Sequence, residues 1–210
     1  MAGIKVDSRI ASDKNTMTKS RLQTEQKILQ ALEQLLLQQG FTTVGINSIA
    51  RQAGCDKVLI YRYFDGLDGL LLAFAETTQL WWEVDDIITE APHAIGQQPL
   101  RQYLQELLKR HVAALQARPL TLEIIAWEMA AQNNLTVALA RTRAERGMDL
   151  VKMIRAHYQQ PNIDIGGILG VFGAAINYLL IRTRNAEPRY MTEEWWRLQH
   201  TISQMMETPA

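Results

Sequence analysis

Apolar residues along this 210-residue chain recur almost everywhere at helical rather than strand spacing. From Ser20 to Gln39, Leu22, Leu29, Leu32 and Leu36, flanked by Ile28 and Leu35, make one stripe of a helix. Gln23, Gln26, Gln30, Gln34 and Gln38 make the opposite, uncharged face. Gly40 ends that helix and Phe41 anchors the turn. A short helix, Ile46 to Ala53, follows, with Ile46, Ile49, Ala50 and Ala53 at i, i+3, i+4 and i+7. Gly54 suits the left-handed exit from it, and the Asp56 carboxylate is placed to cap a second short helix, Lys57 to Phe64. Leu59, Ile60, Tyr63 and Phe64 can pack inward on that helix, leaving Lys57, Val58, Tyr61 and Arg62 outside. Helix, glycine turn and short polar-faced helix together spell a helix-turn-helix.

Beyond it the helical rhythm continues. Leu67 to Val84 is predicted as one helix, burying Leu70, Leu71, Phe74, Leu80 and Trp81, with Asp85 and Asp86 at its solvated end. Adjacent carboxylates on a helix do not face each other, so this pair suggests no acid–base chemistry. Two prolines and a glycine in residues 91–99 break the pattern. Helices are predicted over Leu100 to Leu115, Leu120 to Ala131 and Leu135 to Tyr158. The apolar run Asp164 to Arg182 approaches the length of a membrane span, but Asp164, Asn177 and four glycines interrupt it. Gly166, Gly170 and Ala174, with Gly173 alongside, instead form a small-residue stripe that admits another helix closely. A last helix, Thr192 to Met206, carries Trp195, Trp196, Leu198, Ile202 and Met205. Residues 1–18 show no helical period and are expected to be a flexible arm.

The stretch Gly40 to Leu70 carries more than periodicity. Its IAxxAG, its capped helix ending IYRYF and the Leu-rich helix after it resemble the DNA-binding domain of TetR-type bacterial transcriptional regulators, over residues Ser20 to Leu72. The resemblance implies an all-α protein in three parts: an arm (1–18), a three-helix helix-turn-helix DNA-binding domain (19–66) and a larger helical ligand-sensing and dimerisation domain (67–210). It implies that Lys57 to Phe64 lies in the major groove, where side chains distinguish all four base pairs. Arg62 would then meet a guanine edge or phosphate, Lys57 a phosphate or base, Val58 a thymine methyl, and Tyr61 a phosphate, with Tyr63 beside them. Gly45, Asn47 and Ser48 would sit at a phosphate by the N-terminus of the preceding helix. Two positions depart from the family's pattern. Gly45 stands where a Thr or Ser is usual and Leu67 where a Lys is usual, which lowers the expected number of phosphate contacts.

For the larger domain the resemblance implies a small-molecule pocket, with Trp81, Trp82, Tyr103, His111, Trp127, Glu128, Met129 and Tyr178 as candidate lining residues. It also implies a homodimer joined through the last two long helices, at Gly166, Gly170, Gly173, Ala174, Asn177, Trp195, Trp196 and Ile202. The expected partners are a palindromic double-stranded operator, a small-molecule effector and a second copy of the chain. The expected role is a cytoplasmic repressor, with no cofactor, metal or membrane. The competing reading is a helical interaction or ligand-binding module that no longer reads DNA, which salt-dependent DNA affinity would distinguish.

Composition narrows this only slightly. Net charge is zero, so no global basic field draws the chain to nucleic acid; residues 1–70 hold 9 Lys and Arg against 7 Asp and Glu. The single cysteine, Cys55, permits no internal disulfide and suits a reducing compartment. His93, His111, His157 and His200 show no zinc-binding spacing, and no phosphate-cradling glycine loop or nucleophile elbow is present, so nothing points to catalysis.

Overall fold

The computed structural model describes residues 7–89 and 95–183, together with 193, 196, 197, 200, 201 and 204; side-chain surroundings are described from residue 20 onward. Among these residues the secondary structure is entirely helical: α1 Asp7–Gln39, α2 Ile46–Ala53, α3 Val58–Phe64, α4 Leu67–Thr77, α5 Val84–Ile87, α6 Leu100–Gln116, α7 Pro119–Ala130, α8 Asn134–His157 and α9 Ile165–Thr183. A single 3-10 turn, Phe41–Thr43, joins α1 to α2. The chain divides into two compact units, Met1–Phe74 and Ala75–Ala210, with the boundary inside α4.

The first unit is built on α1. Ile28, Ala31, Leu32, Leu35 and Leu36 are buried along it, and α2 packs against it through Ile49 and Ala50. Ile60 of α3 and Leu70, Leu71 and Phe74 of α4 add to the buried set. Two expectations for α1 are corrected. The helix starts at Asp7, so most of the stretch expected as an arm is helical. Leu22 is 54% exposed, because it lies more than a turn before the first buried position of the helix.

In the second unit α6, α7, α8 and α9 pack on one another, with α5 against α6 and α8. The predicted helix Leu67 to Val84 ends early, at Thr77. Trp81 and Trp82 are both buried, at 2% and 4% exposure, and neighbours on a helix point about 100° apart. A non-helical backbone here puts both indoles inside, and Thr121 donates its hydroxyl to the Leu80 carbonyl at 2.8 Å. Chain resumes as α5 through a capping box in which the Asp86 carboxylate accepts from the Glu83 amide at 3.0 Å. Asp86 also pairs with Arg118 at 2.7 Å, so it is a cap and an ion-pair partner rather than a solvated end.

At α8 Asn133 is the N-cap, its side-chain oxygen accepting from the amides of Leu135 and Thr136. The last helix predicted from Thr192 to Met206 lies largely outside the described residues, and Trp195 and Ile202 lie outside them altogether.

Candidate nucleic-acid interface and internal cavity

The turn between α2 and α3 is made by its glycine. Gly54 takes φ 63 and ψ 37, its amide donates to the Arg51 carbonyl, and the Cys55 amide donates to that of Ala50. These paired bonds form a Schellman motif, which closes α2 in a left-handed residue that glycine adopts without penalty. One residue on, the Asp56 carboxylate accepts from the Val58 amide at 2.9 Å and starts α3. Burial, and secondarily the Asp56 charge, push the Cys55 thiol up from its ordinary value, so its reactive thiolate is disfavoured.

α3 carries one residue on its buried side, Ile60, and presents Lys57, Val58, Tyr61 and Arg62 to solvent. Val58 is 60% and Tyr61 56% exposed. Large apolar and aromatic surface left out beside two cations is the composition that base-edge and phosphate contact requires. Tyr63 lies apart from them: it is half-buried, and the Arg21 guanidinium of α1 stands over its ring at 5.2 Å.

At the start of α2 the geometry is less well provided. Gly45 is the N-cap and offers no side chain to the free amides. The Ser48 hydroxyl sits 2.6 Å from the Thr43 carbonyl and 2.8 Å from the Gly45 carbonyl, and its one proton goes to that pair. The Ser48 hydroxyl is therefore engaged within the turn, and a phosphate here would meet the backbone amides of the first turn of α2 instead. Asn47 is exposed beside it.

The α3–α4 junction is tight. Asp65 is left-handed at φ 59, which a short polar side chain tolerates, and α4 begins two residues later at Leu67, itself half-buried. A Cβ on Gly69 would run into the Phe64 carbonyl oxygen, so no larger residue fits without moving backbone.

The second unit contains a cavity of about 880 Å³, partly open to solvent, between α6, α7, α8 and α9 and the segment before α5. Five of the eight candidate lining residues border it: Trp81, Trp82, His111, Glu128 and Met129. The other three do not. Tyr103 is buried against Tyr158, with ring centroids 5.4 Å apart; Trp127 is half-buried off the cavity; Tyr178 is 56% exposed on the outside of α9. Helical phase decides these cases, since Tyr178 adjoins the lining Asn177 but points about 100° away.

Sequence reasoning missed Arg143. Its guanidinium binds Glu128 bidentately, at 3.0 and 2.7 Å, and stands 5.9 Å from the Trp81 ring centre. A single charged residue on a long amphipathic helix carries no signal of such pairing, because the partner lies on another helix. The expected dimer stripe also has a second environment: Gly166, Gly170, Gly173, Ala174 and Asn177 border the same cavity from α9. Gly170 and Ala174 remain exposed at its edge, whereas Asn177 is buried.

His111 is 7% exposed and rests against Trp81 and Trp82, with centroids 5.9 and 5.6 Å away. Burial holds its imidazole down at about 4, so it is neutral at physiological pH.

A capped short helix with an open outer face, joined by a glycine turn to the helix before it, defines a helix-turn-helix unit. Residues 28–74 match the family described as bacterial regulatory proteins, tetR family, and this segment is a tetR-family helix-turn-helix. Two relatives from strains of Mycobacterium tuberculosis, both named as uncharacterized HTH-type transcriptional regulators, are each 40% identical over 60 residues. That match takes in 28% of this chain and spans 30% of each relative's length. The fold resembles crystal structures of NalD, described as the secondary repressor of the MexAB-OprM multidrug efflux pump in Pseudomonas aeruginosa. One covers 89% of this chain and 96% of that chain at TM-score 0.57 and 18% identity. A native form covers 87% and 96% at TM-score 0.55 and 17% identity.

Proposed function

We propose that this chain is a sequence-specific transcriptional regulator, a cytoplasmic homodimeric repressor released from a palindromic operator by a small molecule. It reads DNA and catalyses nothing. The observation that carries the reading is the outer face of α3, where Lys57, Val58, Tyr61 and Arg62 are exposed together on a helix anchored by Ile60. Repression is favoured over activation by the likeness in fold to NalD, itself described as a repressor.

In mechanism, α3 enters the major groove, Arg62 and Lys57 supply charge, and Val58 supplies apolar contact. Tyr61 and Asn47 position the head on the backbone. The cavity in the second unit is the effector site, of a size that organic ligands ordinarily occupy. For release, the effector must bind the non-reading state more tightly, since equal binding to both states shifts nothing. The dimer forms through the outside of α9, where Val171 is 66% and Tyr178 56% exposed, with Gly167 and Ala174 on the same stripe. α9 is long and apolar enough to cross a membrane, but buried Asn177 and its packing on α7 and α8 support a soluble interface helix instead.

Selection of genomic fragments by the purified protein tests the reading, with Arg62→Ala in parallel. Wild type should enrich an inverted repeat and Arg62→Ala should lose that preference while keeping its helical circular dichroism. Equal selection by the variant would remove α3 as the reader. The uncapped Gly45 and the spent Ser48 hydroxyl favour, as a second reading, a helical module that binds ligand but not DNA. Absence of any salt-dependent DNA binding, even at low salt, would decide for it.

A further inference from the structure

Four side chains that line the cavity carry polar atoms without a partner among the described residues. Trp81 Nε1, Trp82 Nε1, His111 Nδ1 and Asn177 Oδ1 are all buried without a hydrogen-bond partner among the described residues, and all four side chains line the cavity. An unmatched buried polar atom is unfavourable, so four such side chains around one space favour a ligand that matches them once they turn toward it. Two are indole donors, which need an acceptor. The three rings of Trp81, Trp82 and His111 lie within 5.9 Å of one another and offer flat apolar surface.

Charge separates the possible occupants further. The one carboxylate bordering the cavity, Glu128, is already held by both arms of the Arg143 guanidinium. It is therefore poorly placed to receive an organic cation. Lys152 and Arg155 border the cavity from exposed positions on α8. Arg155 has only a long contact to the exposed Asp164, at 3.8 Å, and Lys152 makes no ion pair among the described residues. Neutral His111 inside and two exposed cations at the rim, Lys152 and the loosely paired Arg155, favour an anion whose charge stays there.

Resting on the reading of this cavity as the effector site, we propose that it takes an amphipathic organic acid. Its flat aromatic body lies against Trp81, Trp82 and His111, with an acceptor oxygen directed to the indole N–H groups. Its carboxylate-like group stays at the rim by Lys152 and Arg155.

The test is titration calorimetry of the full chain with four matched probes: methoxynaphthyl propionate, its neutral amide, the corresponding ammonium compound, and the propionate lacking the methoxy oxygen. The propionate should bind about tenfold more tightly than the ammonium, with the amide between, as two partly solvated charges warrant. Loss of the methoxy oxygen should weaken binding about threefold, the scale of one net hydrogen bond. Trp81→Phe with Trp82→Phe should erase that threefold difference while keeping ring surface. Lys152→Glu with Arg155→Glu, both at exposed positions, should abolish the preference for the acid. An ammonium probe binding as well as the propionate, an order unmoved by the charge reversal, or no binding by any probe would each overturn the proposal. In the last case the reading of α3 as a DNA reader would stand, since fragment selection does not depend on the cavity. If the propionate binds as expected but DNA affinity does not change, the ligand chemistry holds and the effector role falls.

Discussion

Single residues carry the sharpest energetic consequences here. Neutral His111 makes stability depend on pH with a definite sign. Its folded value of about 4 lies below the ordinary 6.5, so between these values the unfolded chain binds a proton that the native chain refuses. Stability from this group is complete above about 6.5 and is lost as pH falls toward about 4. Roughly 3 kcal/mol is at stake, since each unit of the fall from 6.5 to about 4 is worth about 1.4 kcal/mol. Urea midpoints across that range should fall more for wild type than for His111→Gln; parallel curves would show that His111 is protonated in the folded protein. Gly69 is a second such residue. Gly69→Ala drives a methyl group into the Phe64 carbonyl and should cost at least about 2 kcal/mol of thermal stability, as overpacking against backbone does. An unchanged melting temperature would mean that α4 can shift freely on α3.

Elements differ in how far their own residues determine them. α2 and α3 are closed by local chemistry, the Gly54 Schellman turn and the Asp56 cap, and both were legible because those signals lie within a few residues of what they terminate. The end of α4 was not legible. Helical spacing continues through Leu80, and only the need to bury both Trp81 and Trp82 breaks it. The start of α2 yields a prediction about DNA. Gly45 has room for a side chain, since a Cβ there would meet nothing nearer than Ser48 Oγ at 3.9 Å. Gly45→Thr should stabilise the helix start by a few tenths of a kcal/mol. It should also steepen the dependence of log affinity on log salt by about one unit for each phosphate regained. A salt slope identical to wild type would show that this N-terminus does not approach the DNA backbone.

For the whole molecule, the decisive question is how the cavity side and the exposed side of α9 are used. One side of α9 borders the cavity through Gly170, Gly173 and Asn177, and the other side exposes Val171 and Tyr178. Gly170→Leu would therefore fill cavity space as well as alter an interface, and it cannot report on dimerisation alone. Val171→Glu with Tyr178→Glu places charge on the exposed stripe only. Light scattering should show monomers for this variant, with the far-ultraviolet circular dichroism of wild type retained; a persistent dimer would place the interface elsewhere. A monomeric variant should also bind a palindromic operator much more weakly, because each head alone reads only half of it.

What the sequence determined by itself was periodic or local: the all-helical class, the reading unit, the outward set on α3 and most helix limits after Leu100. Hydrophobic phase and end-capping act within a turn or two, so a linear pattern contains them. Tertiary structure alone decided which aromatic residues border empty space. Trp81, Trp82 and His111 do, while Tyr103, Trp127 and Tyr178 do not, although all six look alike in composition. It also decided that Arg143 neutralises Glu128 and that the α9 glycines face a cavity. Each of these depends on what stands opposite a residue on another helix, and no spacing along one chain encodes that distance.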